Sequence, residues 1–279
     1  MLLSIRHRTE YRYEAAPNYG VMRLRVTPRS LGPQRVIDWR IGLEGVERQV
    51  AFRDHLGNEV WLVSMAQGCD RVAVTAEGVV ETRETAGVFG PHRALAPLWL
   101  FTRPTALTMP GEGVARLVAD LGGPDASGPA VAPVVAGQVG LGLAHRMMAA
   151  VADAVAYDVD DTHPATTAEE ALARGAGVCQ DHAHVMATVA RRFGIPARYV
   201  SGYLRLDNRE DQTATHAWVE LHLEGLGWVG FDPSNRISPD DRYVRLAVGR
   251  DYDEAAPMGG VRYGAHAEDL HVHLHVGEQ

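Results

Sequence analysis

The spacing of apolar residues changes period along this chain, and the change divides it. Between residues 2 and 102 the apolar positions fall in short runs at 21–27, 36–43, 58–65 and 71–76. Turn residues separate them: Pro17-Asn18, the stretch 28–33, Glu44-Gly45, 54–58 and Gln67-Gly68. In the first run Met22, Leu24 and Val26 alternate with Arg23, Arg25 and Thr27, the period of a strand with one buried face. Such a series predicts an antiparallel β-sandwich over residues 1–103. Residues 104–140 carry Pro104, Pro110, Pro124, Pro129 and Pro133 with many glycines, and read as a linker with room for one short helix near 112–121.

From residue 141 the period becomes helical. Leu141, Ala144, Met148, Val151 and Val155 share one face over 141–156, and Thr167 with Glu170 has capping-box spacing for a short helix ending at Gly175. A third helix carries Cys179, Ala183, Met186, Ala187, Ala190 and Phe193 at steps of three and four, closed by Arg191, Arg192, Gly194 and Pro196. Extended segments follow at 197–206, 215–223 and 228–232, with 224–227 as a hairpin connection. At the end of the chain Val272, Leu274 and Val276 alternate with His271, His273 and His275, which predicts a half-buried strand with an exposed histidine face. Helices followed by antiparallel strands over 141–279 make the expected fold class α+β.

Composition narrows the function classes. A chain of 279 residues with 46% hydrophobic content buries a core without staples. Its two cysteines, Cys69 and Cys179, allow neither a disulfide framework nor a paired-cysteine metal site, which suits a cytoplasmic location. The first ten residues lack the apolar core of a secretory signal, and no run has the length of a membrane span. Net charge is −8 with both signs interspersed, so neither nucleic acid nor a membrane is an expected partner. Asp160-Asp161 and Asp240-Asp241 read as solvated loop charges.

One cysteine stands where chemistry is favoured. Cys179 begins a helix, facing unpaired backbone N–H groups and the positive end of the helix dipole, which favours a thiolate. A nucleophilic thiol needs a base and the base an orienting group. His216 in the strand after the helix and Asp232 in the next strand supply both types. Strand parity tests the pairing: His216 and Asp232 share a sheet face only if paired residue numbers sum to an even value, which requires an odd hairpin loop such as 224–226. His182 and His184, two apart on a helix, point about 200° away from each other and make a poor metal pair.

The blocks G-V-C-Q-D, T-H-A-W-V-E-L and G-W-V-G-F-D-P-S-N resemble the three catalytic blocks of the transglutaminase-like superfamily of papain-like thiol enzymes. Tyr11 to Tyr13, R-L-R-V-T-P-R, L-G-N at Leu56 to Asn58 and V-G-R-D-Y-D-E-A-A-P resemble the bacterial members with a β-rich N-terminal region. The resemblance implies a papain-like core at 141–279 with Cys179 as nucleophile, His216 as general base then acid, and Asp232 orienting the imidazole. It implies acyl transfer through a thioester on a protein or peptide carboxamide, with no cofactor and no metal. The backbone N–H of Cys179 is the natural oxyanion donor; Gln180, Tyr157 and Trp218 are candidates for a second donor and for the acyl cleft. His182 stands where such proteins often have an aromatic residue, implying a more polar pocket. A thiol peptidase or isopeptidase would use the same three residues. A non-catalytic binding module would need none of them. Substrate and oligomeric state are left open by the sequence.

Overall fold

The computed structural model describes residues 1–124, 140–159, 163–264 and 268–279. Seven strands come first: β1 (Leu2–Tyr13), β2 (Tyr19–Leu24), β3 (Gln34–Glu44), β4 (Val46–Arg53), β5 (Glu59–Met65), β6 (Arg71–Thr82) and β7 (Val88–Gly90). A mixed region follows with α1 (Glu112–Asp120), α2 (Leu141–Ala154), β8 (Ala156–Tyr157), α3 (Ala168–Arg174), β9 (Ala176–Gly177) and α4 (Cys179–Arg192). The rest is β10 (Ala197–Leu204), β11 (Asp211–Gln212), β12 (His216–Leu223), β13 (Gly227–Phe231), β14 (Tyr243–Gly249), α5 (Tyr252–Ala255), β15 (Met258–Tyr263) and β16 (Glu268–Glu278).

Two N-terminal sheets, β11-β16-β1-β6-β3 and β15-β2-β5-β4, face each other across Met22, Leu24, Val26, Val46, Val63, Val72 and Val74. The alternating positions of β2 therefore do what their period demands: Met22 and Leu24 point into the sandwich while Arg23 stays in water. The third sheet, β14-β10-β12-β13-β7, is covered on both faces. Val219 and Leu221 of β12 pack under α2 and α4, while Trp218 on the opposite face meets Leu56, Phe101, Trp228 and Tyr243. Strands covered on both sides read as near-continuous apolar runs, and β10 is buried at all eight positions. Helix α4 is accordingly buried all round and not on one stripe alone. The fold is α+β, with an N-terminal β-sandwich and a papain-like core in which the cysteine helix packs on an antiparallel sheet.

Composition and strand pairing divide the chain differently. Residues 112–120, expected as a short helix within a linker, form α1, which packs on α3 and α4 with Val114 and Val118 fully buried. The carboxylate of Glu169 on α3 accepts from the free N–H groups of Gly111, Gly113 and Val114 at 2.7–2.9 Å, satisfying donors that the glycine before α1 cannot. Residues 125–139 of that stretch, and Asp160 and Asp161, lie outside the described residues. The boundary at 103 is crossed in both directions: β7 pairs with β13, while β15 and β16 return to pair with β2 and β1. Leu274 and Val276 of β16 are buried, and His271 and His273 are exposed. His275 meets Asp211 at 3.1 Å. Among the described residues no helix is long and apolar enough to cross a membrane.

Candidate active site

Cys179 is the first residue of α4 and is half-buried at the helix mouth. The carboxylate of Asp181 accepts the N–H of Val178 at 2.8 Å, fixing the turn that delivers the thiol. Gly177 is required there by space, because a Cβ would fall 2.6 Å from that carboxylate. Opposite stands the β12–β13 hairpin. Its register pairs Val219 with Phe231 and Leu223 with Gly227, so the numbers sum to an even value and the loop spans three residues, 224–226. Extending the register by one pair sets Trp218 beside Asp232, with His216 one diagonal step away on the same face.

The side chains close that diagonal. Nε2 of His216 meets Oδ2 of Asp232 at 2.6 Å, and Cys179 lines the same cleft close enough to act on the imidazole. Asp232 is fully buried yet amply satisfied. Its Oδ1 accepts from the Ser234 hydroxyl at 2.6 Å and the Asn235 N–H at 3.2 Å; its Oδ2 also accepts from the Asn235 amide and the Tyr243 hydroxyl, each at 2.8 Å. Burial alone would push this carboxyl up, but the charge on His216 and the donors around it outweigh burial and hold it at about 2. Burial would likewise pull His216 down. The negative charge of Cys179 and that of Asp232 win, raising the imidazole to about 10. Cys179, His216 and Asp232 thus stand in line, with the imidazole between thiol and carboxylate.

The open side of this line faces a cleft of about 620 Å³. Tyr157 and Gln180 line it beside Cys179. Tyr157 is largely exposed, held by the parallel bridge between β8 and β9. The Gln180 amide also donates to the Pro164 carbonyl at 3.0 Å, which fixes its direction. Two expected cleft residues are elsewhere. Trp218 has no solvent exposure and backs His216, ring centroids 6.3 Å apart, because its strand face is roofed by the N-terminal layer. His182 is buried behind the helix start, its ring nitrogens each 2.8 Å from the carbonyls of Val178 and Val155. It ties the first turn of α4 to the chain entering β8 and adds no polarity to the pocket. His184 points elsewhere, accepting the Tyr252 N–H at 3.0 Å, so the two histidines do not converge.

Sequence reasoning missed the carboxylate's other partners. Ser234 and Asn235 follow Asp232 directly, and such a D-P-S-N turn is a local signal for side chains folding back on an aspartate. Tyr243 arrives from β14 with no local signal at all. Arg209 also lines the cleft.

Known proteins agree with this architecture. The Transglutaminase-like superfamily profile matches residues 135–233, and that of the Bacterial transglutaminase-like N-terminal region matches residues 3–81. An uncharacterized protein of Mycobacterium leprae is 31% identical over 278 residues, covering 95% of each chain. One of Mycobacterium tuberculosis is 30% identical over 275 residues, covering 93% of this chain and 87% of the other. A Protein-glutamine gamma-glutamyltransferase of Pseudomonas aeruginosa is 34% identical over 98 residues, which are 31% of this chain and 15% of that protein. The fold is shared with a crystallised cysteine-protease candidate from Cytophaga hutchinsonii, at a TM-score of 0.72 and 20% identity over all of this chain and 91% of the other. The chain belongs to the transglutaminase-like superfamily of cysteine-type enzymes, and carries that superfamily's bacterial N-terminal region.

Proposed function

We propose that the protein transfers acyl groups from protein or peptide carboxamides through a thioester on Cys179. The observation that carries this reading is the 2.6 Å contact of His216 with a fully buried Asp232, with His216 and Cys179 lining one cleft. The thiolate of Cys179 attacks the carboxamide carbon. The oxyanion forms next to the unpaired backbone N–H of a helix start. Collapse breaks the C–N bond, and the His216 imidazolium gives its proton to the departing nitrogen, so ammonia or an amine leaves and His216 becomes neutral. Neutral His216 then takes a proton from an incoming amine or water, which attacks the thioester and restores the thiolate. Asp232 keeps the ring oriented throughout. A protein substrate is supported by similarity to the Pseudomonas glutamyltransferase and by a cleft open enough for a side chain on a polypeptide.

The test is incubation with a glutamine-containing peptide and a labelled primary amine. Expected are incorporation of the label, ammonia release, and loss of both in Cys179→Ala. Release of a peptide amine without ammonia would identify a thiol peptidase on the same three residues. Absence of any thioester-dependent reaction across glutamine peptides would remove the proposal.

A further inference from the structure

The face of the core sheet that carries His216 continues to a second cavity, of about 370 Å³, beyond the catalytic cleft. Glu220 marks its place: it is four residues from His216 on β12, roughly 13 Å along the strand. Four arginines line the cavity. Arg29 comes from the segment between β2 and β3, Arg93 from the segment after β7, Arg198 from β10 and Arg245 from β14. Two are held by aromatic faces, Arg198 with its guanidinium carbon 4.0 Å from the Trp228 ring and Arg245 at 5.0 Å from Phe89.

Carboxylates do not balance this charge. Glu220, fully buried, accepts from Nε of Arg198 at 2.6 Å and from Nη1 of Arg245 at 3.2 Å. One carboxylate thus serves two guanidiniums. Arg29 donates to the Gly57 carbonyl; the nearby Asp54 is engaged by Asn58 and Arg25, and Glu59 by Arg53. Burial, and then the charge of Arg53, make it harder for Arg29 to keep its proton. Arg93 has no ion pair among the described residues. Guanidinium forks converging on a partly dry space, with rings holding two of them in place, make a receptor for planar or tetrahedral oxyanions.

We propose that this cavity binds a small multivalent oxyanion, bearing phosphate or carboxylate groups, between the N-terminal layer and the core sheet. Such a ligand completes the charge balance that Glu220 begins and joins segments from both halves of the chain. The probes are pyrophosphate and citrate, added to the full chain at ionic strength matched with potassium chloride and followed by calorimetric titration and thermal shift. Saturable binding and a rise in melting temperature are expected with at least one probe, and preference for pyrophosphate or for citrate assigns a phosphate or a polycarboxylate ligand. Arg93→Gln, at an exposed position, should weaken binding roughly tenfold, and Arg29→Gln by at least as much. If neither probe binds saturably, or if binding persists unweakened in Arg93→Gln, the proposal fails. Since Arg93→Gln leaves the catalytic cleft untouched, amine incorporation reports separately on the acyl-transfer reading.

Discussion

His216 is raised far above the usual imidazole range, and the cause is separable by mutation. The charge on Cys179 is the largest influence raising it, ahead of Asp232. In Cys179→Ala the imidazole should therefore titrate well below about 10, measured by NMR of the ring protons, whereas in the unmodified protein it should stay protonated through neutral pH. An unchanged titration would mean that thiol and imidazole do not interact. The linkage has opposite signs at the two ends of the line. His216, raised above 6.5, contributes stability in full below that pH and loses it as pH rises through about 10. Asp232, held below 3.8, contributes above that pH and loses it as pH falls through about 2. Tyr157 belongs to the same scale. Its phenol lines the cleft beside the thiol, and burial, then the charge of Cys179, make it harder to ionise, so on the proposed acyl-transfer reading it is available as an O–H donor to the oxyanion. Tyr157→Phe should lower kcat on the order of 10²-fold with little change in KM; an equal loss in KM alone would make it a binding residue.

At the scale of elements, what was legible in the sequence follows from periodicity. The period of two in β12 and β13 fixes which residues share a face, and the three-residue loop 224–226 fixes the register, so the meeting of His216 with Asp232 could be posed as a parity question before any coordinates. The helix start at Cys179 and the capping box of Thr167 with Glu170 were equally local. Trp218 and His182 were misplaced because period says which face a residue takes, and a layer from distant sequence decides whether that face is solvent. Arg191 shows the same limit. A last-turn helix signal by its sequence position, it is buried in the fold, its pKa drawn down to about 10 by loss of solvent. Its guanidinium donates to the carbonyls of Phe101, Ala197 and Arg250 and to the Thr108 hydroxyl, pinning the chain before α1 to the end of α4. Arg191→Met keeps the bulk and strands those acceptors, so it should cost about 3 kcal/mol, read as a lower urea midpoint at unchanged slope. A midpoint within error of the parent would show that water replaces the guanidinium at no cost.

For the whole molecule the decisive feature is how the edge of the core sheet is closed. β14 pairs with β10 on one side only. On its other side the backbone is met by side-chain amides from the N-terminal region. Gln34 accepts the Arg245 N–H at 2.8 Å and donates to its carbonyl at 2.9 Å; Asn58 does the same for Val248, both contacts at 2.8 Å. Each amide stands in for one residue of a missing strand, which gives the L-G-N segment a structural reason and covers an edge that would otherwise template aggregation. Leu3, Ile5, Val80, Leu274 and Val276 of the sandwich share a single buried cluster with Tyr203, Val244 and Leu246 of the core sheet. Sandwich and core thereby share one buried apolar cluster, which predicts a single cooperative unit. Calorimetry should show one transition with equal calorimetric and van't Hoff enthalpies. Asn58→Ala removes two buried backbone partners and should cost about 2 kcal/mol, and the double variant Gln34→Ala/Asn58→Ala should split the transition or broaden it as the layers uncouple. Two transitions in the parent would mean that neither the amides nor the apolar cluster couples the layers, whereas a double variant as cooperative as the parent would mean that the amides decorate the edge and the apolar cluster alone joins the layers.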